Sequence, residues 1–223
     1  MICLSVFAEQ LQICLRDLSE VDAVELRVDR RIPGRGTLRR LRMLNKTVIA
    51  ACRRGKKTDR ERVGILEEML RRGVDYLDLD MVADRRFFHR LSREARERKT
   101  GIIASYHDPR KTPDVQTLQA WIRRGFQSRC HWAKVVCRVG RERDLAVLLS
   151  LYDSLPRAWK GRCIVFGMGP GGRVSRIMAH FLGCPVQYTT LPYLRSTAGG
   201  QWDARDYKEV LEKCHQKNPR GWR

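Results

Sequence analysis

Residues 101–107 read Gly-Ile-Ile-Ala-Ser-Tyr-His and residues 132–137 read Trp-Ala-Lys-Val-Val-Cys. Both are short apolar runs of strand length, and a helical pattern from Pro113 to Gly125 separates them. Strand, helix and strand in this order form a βαβ unit, whose two strands run parallel. The alternation continues in both directions. Strands are predicted at 2–6, 23–28, 47–52, 76–80, 101–107, 132–137, 163–168 and 185–190. Helices are predicted at 8–18, 37–44, 60–72, 84–98, 113–125, 141–155, 173–182 and 203–213. Eight repeats of β then α predict an α/β protein, a closed (β/α)8 TIM barrel. No linker or low-complexity stretch divides the chain, so one barrel domain is expected over residues 1–223. The sequence runs directly into the first strand, so a barrel without an N-terminal hairpin is expected.

Composition narrows the class. No apolar run approaches the roughly 18 residues of a membrane span. The N-terminus lacks the basic region of a signal peptide, and a cytoplasmic protein is expected. The eight cysteines show no C-x-x-C spacing and mostly fall in apolar strand or helix patterns, as free thiols packed in a reducing compartment would. The histidines do not cluster at the spacing of zinc ligands. Lys plus Arg is 45 against 25 Asp plus Glu, a formal net charge of +20. That excess argues for a polyanionic partner. However, the basic residues are spread over most helices and many sit beside acids, as in Arg93-Glu94-Ala95-Arg96-Glu97-Arg98. Solvated helix faces give the same pattern, and no aromatic RNA-binding motif is present, so nucleic acid is not the expected partner.

Within this frame Lys134 stands out, because it lies inside an apolar strand. Burying an ammonium is costly and favours the neutral amine, which can attack a ketone to form an imine. Pairing with a carboxylate across the core is the alternative. His107, one strand earlier, has a side chain that titrates near neutrality. In a parallel barrel the active site lies at the C-terminal ends of the strands. Glu25, Arg27, Arg53, Ser105, His107 and Lys134 all lie at or near those ends, and period-two alternation puts Glu25 with Arg27 and Phe166 with Met168 on shared faces. So many ionisable groups at one end are hard to explain as packing.

Two loops follow the last strands. Residues 167–172, Gly-Met-Gly-Pro-Gly-Gly, match a dinucleotide-binding G-x-G-x-x-G only formally, because no acid lies around position 192 to hold a ribose. The better reading is a loop whose backbone N–H groups, with Arg176 in the next helical turn, face an anion. Residues 196–201, Ser-Thr-Ala-Gly-Gly-Gln, form a small loop that could close over a ligand through Thr197 and Gln201.

In register, Glu25-x-Arg27-x-Asp29, Ser105-x-His107-Asp108, Lys134, Met168 with Ser175-Arg176, and Ala198-Gly199-Gly200-Gln201 resemble the type I 3-dehydroquinate dehydratase family of the shikimate pathway. The resemblance covers nearly the whole chain. It implies a carbon–oxygen lyase that uses no metal or cofactor and converts 3-dehydroquinate to 3-dehydroshikimate and water. Lys134 then resembles the imine-forming lysine and His107 the acid–base histidine. Glu25, Arg27 and Arg53 match positions that hold ring hydroxyls. Arg176, Thr197 and Gln201 match positions around the substrate carboxylate, and Phe166, Met168 and Tyr188 match the apolar walls. Ser5, on the first strand, completes the substrate-binding set. A homodimer is the assembly the resemblance suggests. The pattern departs after Arg53, where the family carries an acid that orients the histidine. Here Asp59 and Glu61 are the nearest acids to stand in. Gly199 replaces a common proline, which predicts a looser closing loop. The basic tail Lys217–Arg223 leaves open a fusion to shikimate dehydrogenase. Two other readings also stay open: an aldolase-like imine enzyme for another keto acid, and a barrel that binds ligand or nucleic acid without turnover.

Overall fold

The computed structural model describes residues 1–216, and the tail Lys217–Arg223 lies outside the described residues. The strands are β1 (Ile2–Phe7), β2 (Ala23–Arg27), β3 (Thr47–Ala51), β4 (Tyr76–Asp80), β5 (Gly101–Asp108), β6 (Trp132–Arg138), β7 (Cys163–Met168), β8 (Gln187–Thr190) and β9 (Trp202–Asp203). All pair in parallel, in the order β7-β6-β5-β4-β3-β2-β1-β8-β9. The helices are α1 (Arg35–Met43), α2 (Asp59–Arg71), α3 (Phe88–Glu97), α4 (Val115–Gln127), α5 (Glu142–Ser154), α6 (Arg173–Phe181) and α7 (Ala204–Gln216). The architecture is the expected (β/α)8 TIM barrel. Most strand residues are buried, as in parallel sheets covered on their outer face by helices.

Four details differ from the sequence expectation. The barrel is not closed by a continuous ladder, because the sheet order leaves a seam between β7 and β8 among the described residues. Side chains span that seam. The Phe166 and Tyr188 rings lie 6.0 Å apart, and Arg176 Nη1 donates to the Tyr188 carbonyl at 3.5 Å. Second, the 8–18 segment forms two short 3-10 helices, Ala8–Cys14 and Asp17–Glu20, instead of one α-helix. Its buried residues Ala8, Leu11 and Cys14 recur every three residues, the period of a 3-10 helix. Third, α3 starts at Phe88 instead of Asp84. The Asp84 N–H donates to the Asp80 carbonyl and its carboxylate accepts from the Asp80 N–H, so residues 81–87 make a turn. The short β9 beside β8 had no signal in the sequence.

Local chemistry fixes the helix starts. Thr58 and Glu61 form a reciprocal capping box at α2, and Asp114 accepts from the Thr117 N–H at 2.7 Å to cap α4. The seven cysteines outside α7 are buried and free, and Cys214 is exposed and free. Many basic side chains pair along helix faces, as in Arg98–Glu94 and Arg71–Glu68. Among the described residues no helix is long and apolar enough to cross a membrane.

The glycine-rich loop after β7 is a packing device. The N–H groups of Gly167, Gly169 and Gly172 donate to the Ser175 hydroxyl, the Gly199 carbonyl and the Gly169 carbonyl. They are therefore not free for an anion, contrary to the sequence expectation. A Cβ on Gly172 would lie 2.4 Å from the Gly167 carbonyl carbon. Gly172→Ala is expected to destabilise the fold by about 1–3 kcal/mol, the cost of overpacking. Chemical denaturation measures this, and an unchanged midpoint would contradict the close approach.

Candidate active site

The C-terminal ends of the strands surround a cavity of about 250 Å³ lined by Glu25, Arg27, Arg53, Asp80, His107, Pro109, Lys134, Val136, Phe166, Met168, Arg176, Tyr188, Thr197, Ala198 and Gln201. Of the residues matched to catalytic or substrate-binding positions in the sequence, all but one line it. Ser5 is the exception. It is buried behind the wall, where its hydroxyl bonds the Glu25 carboxylate and lies 2.6 Å from Thr197 Oγ1. It buttresses two lining residues.

Strand register builds the centre. Asp80, Ser105 and Lys134 are lateral neighbours on β4, β5 and β6. Lys134 is 4 % exposed, and its Nζ lies 3.0 Å from Asp78 Oδ2 and 3.5 Å from Glu25 Oε1. Its Nζ also lies 3.8 Å from the centre of the Tyr188 ring, a cation–π contact. The lysine is thus both paired across the core and placed on the cavity wall. The carboxylate pairing read as the alternative in the sequence is therefore present.

Asp78 ties this centre together. It accepts from Lys134, from Arg53 Nη2 at 3.1 Å and from Ser105 Oγ at 2.6 Å. Burial alone would raise its carboxyl, but Arg53 and Lys134 outweigh that and hold it well below the usual range. Glu25 behaves likewise: burial pushes it up, Lys134 and Arg27 pull it down, and the net shift is downward. The centre therefore keeps two buried carboxylates ionised among cations.

His107 has its own acid. Its Nδ1 lies 3.0 Å from Asp80 Oδ2, and Asp80 Oδ1 accepts from the N–H groups of Val82 and Ala83 at 3.0 and 2.9 Å. Burial would raise the Asp80 carboxyl, but the His107 hydrogen bond and the nearby cations lower it, so Asp80 is ionised and accepts. Nδ1 then carries the ring proton, and Nε2 is left unprotonated. Neither expected substitute takes this place. Glu61 is spent on the Thr58 cap, and Asp59 lies 3.9 Å from Arg86. The acid missing after Arg53 is supplied from the next strand.

Arg176 reaches the cavity from α6. It is 2 % exposed, packs its guanidinium 4.2 Å from the centre of the Phe166 ring, and its Nε has no partner among the described residues. Burial pushes it down to about 10. A buried guanidinium with spare donor capacity is suited to a carboxylate. The neighbouring loop is tied, not loose. Gln201 Nε2 donates to Thr197 Oγ1 at 3.1 Å, Arg27 Nη1 donates to the Thr197 carbonyl at 3.3 Å, and Gly199 accepts from Gly169. The assembly offers a primary amine, an imidazole paired with a carboxylate and a buried guanidinium with an unpaired N–H around one small cavity.

Burial, Arg53 and Lys134 lower the His107 pKa, and the Asp80 hydrogen bond opposes them. An NMR titration is therefore expected to show His107 protonating below pH 6.5, its ordinary value. Asp80→Asn removes the opposing contribution and shifts the midpoint further down. A midpoint above 6.5 in the parent would contradict this electrostatic arrangement.

A family model described as type I 3-dehydroquinase matches residues 2–218. The 3-dehydroquinate dehydratase of Methanococcus maripaludis is 27 % identical over 223 residues, covering 95 % of this chain and 99 % of the relative. That of Methanosarcina mazei is 29 % identical over 158 residues, covering 71 % and 65 %. The 3-dehydroquinate dehydratase structure from Geobacillus kaustophilus superposes with a TM-score of 0.81 at 23 % identity, covering 98 % of this chain and 92 % of that one. The type I enzyme from Clostridium difficile, solved with covalently modified comenic acid, gives 0.80 at 19 % identity, with 96 % and 92 % covered. With the model spanning almost the entire sequence, the chain belongs to the type I 3-dehydroquinase family.

Proposed function

We propose that the protein is a 3-dehydroquinate dehydratase that works through an imine on Lys134, within a single barrel domain. The observation that carries the reading is the placement of a buried primary amine, an acid-paired imidazole and a spare buried guanidinium on one cavity wall.

The reaction removes water across C1 and C2 of a ring that carries a ketone at C3. Lys134 Nζ, freed of its proton, adds to C3, and loss of one water gives a protonated imine. That cation draws electron density from C2 and makes its proton removable. His107 Nε2 takes the C2 proton, and the electrons flow into the imine to form an enamine. The enamine expels the C1 hydroxyl, which His107 protonates as it leaves. Water then adds to the regenerated imine, releasing 3-dehydroshikimate and the free amine. One water is lost, one is returned to cleave the imine, and one leaves from C1, so the balance is 3-dehydroquinate to 3-dehydroshikimate plus water.

The other residues bind and orient. Arg176, Thr197 and Gln201 hold the substrate carboxylate. Glu25, Arg27 and Arg53 hold ring hydroxyls, while Phe166, Met168 and Tyr188 form the apolar walls. Ser5 holds Glu25 and Thr197 from behind. The family resemblance extends this reading to a homodimer. Free buried thiols fit a reducing compartment, in support of a cytoplasmic enzyme.

Lys134→Ala is expected to abolish dehydration of 3-dehydroquinate, with Arg27 and Arg53 still compensating the two carboxylates and the circular dichroism spectrum unchanged. Turnover near the parent rate would end the imine reading. His107→Ala is expected to slow kcat by about 10²–10⁴, the range for loss of an acid–base group. An unchanged rate would remove that residue from the mechanism.

A further inference from the structure

Arg62 is a fully buried cation outside the cavity. It sits on the inner face of α2 with Leu66, Met69 and Leu70, at 0 % exposure. A helix facing a barrel is ordinarily apolar at such a position. Burying a guanidinium is costly unless acceptors surround it. Arg62 has acceptors from two different strand ends. Its Nη2 donates to the Cys52 carbonyl at 3.0 Å and to the Asp84 carboxylate, and its Nη1 donates to the Ala83 carbonyl at 3.2 Å. Its Cζ lies 5.6 Å from the centre of the Phe87 ring.

Both arms lead to the cavity. Cys52 immediately precedes Arg53, which contacts Asp78 and Asp80. Asp84, 1 % exposed, accepts from the Asp80 N–H at 2.7 Å with its other oxygen. Ala83 in turn donates its N–H to Asp80 Oδ1, the oxygen that is not on His107. One guanidinium therefore fixes the turn that holds Asp80 and the strand end that holds Arg53. A leucine or methionine would fill the same space without tying those backbones to each other.

We propose that Arg62, together with Asp84, is a positioning residue for the His107–Asp80 pair and for Arg53. The inference rests on the reading of His107 as the acid–base group and adds the layer that sets its tautomer.

The test uses the double variant Arg62→Met/Asp84→Asn, which removes both buried charges together and so avoids stranding either one. Arg62→Lys is the second variant. It keeps the charge but cannot serve both strand ends at once. The first readout is the ¹⁵N spectrum of the His107 ring in the substrate-free protein. The parent is expected to show a proton on Nδ1, the double variant a mixture of tautomers, and Arg62→Lys an intermediate. The second readout is kcat, expected to fall about 10- to 100-fold in the double variant, by analogy with the groups that orient metal-bound histidines. The lysine variant is expected to recover part of that loss. A folded variant of either kind with the parent ring spectrum overturns the proposal, whatever its rate. The ring spectrum requires no substrate, so a parent protein inactive on 3-dehydroquinate would count against the functional reading and leave this test standing.

Discussion

The Asp78 carboxylate is the contact on which the site depends. Fully buried on β4, it accepts one hydrogen bond each from Lys134, Arg53 and Ser105. A lone carboxylate at that depth would take up a proton, and a lone ammonium would lose one. Together with Glu25, Asp78 lets two cations and two anions share one cluster beside the cavity. The Lys134 amine is thereby held on the cavity wall, and Arg53 is turned toward the same cavity.

The parallel barrel makes this concentration of charge affordable. Its strands are apolar where they cross the core and polar at their C-terminal ends, so ionisable groups from five strands meet in one layer. Behind that layer a second set of polar contacts fixes the first. Ser5 supports Glu25 and Thr197, and the turn after β4 supports Asp80. On the side of the β7–β8 seam, the glycine loop and the 199–200 loop pack backbone to backbone. Gly200, at a φ of 81°, would place a Cβ 2.4 Å from the Gly169 oxygen. That contact ties the loop carrying Thr197 and Gln201 to the end of β7.

Much of this was legible in the sequence. The βα alternation gave the barrel, and the unusual charges in apolar strands gave Lys134, His107, Glu25 and Arg27. The same period-two rule, applied to Tyr76-Leu77-Asp78-Leu79-Asp80, puts both aspartates on the inward face. They were missed because the family pattern directs attention to the loop after Arg53 for the histidine's acid. Asp59 and Glu61 lie in that loop's wake but cap and flank a helix. Other features had no local signal. The seam between β7 and β8 depends on how the whole sheet curls, and β9 is two residues long. The 3-10 turns after β1 are encoded by a spacing of three that is easily taken for an irregular helix.

The central claim is that Lys134 forms a covalent imine with the substrate. The most direct measurement is the intact mass after incubation with 3-dehydroquinate and borohydride, followed by peptide mapping. The account predicts one reduced adduct per chain, on the peptide that contains Lys134. Folded protein that binds 3-dehydroquinate yet yields no adduct, or an adduct on another lysine, would contradict it.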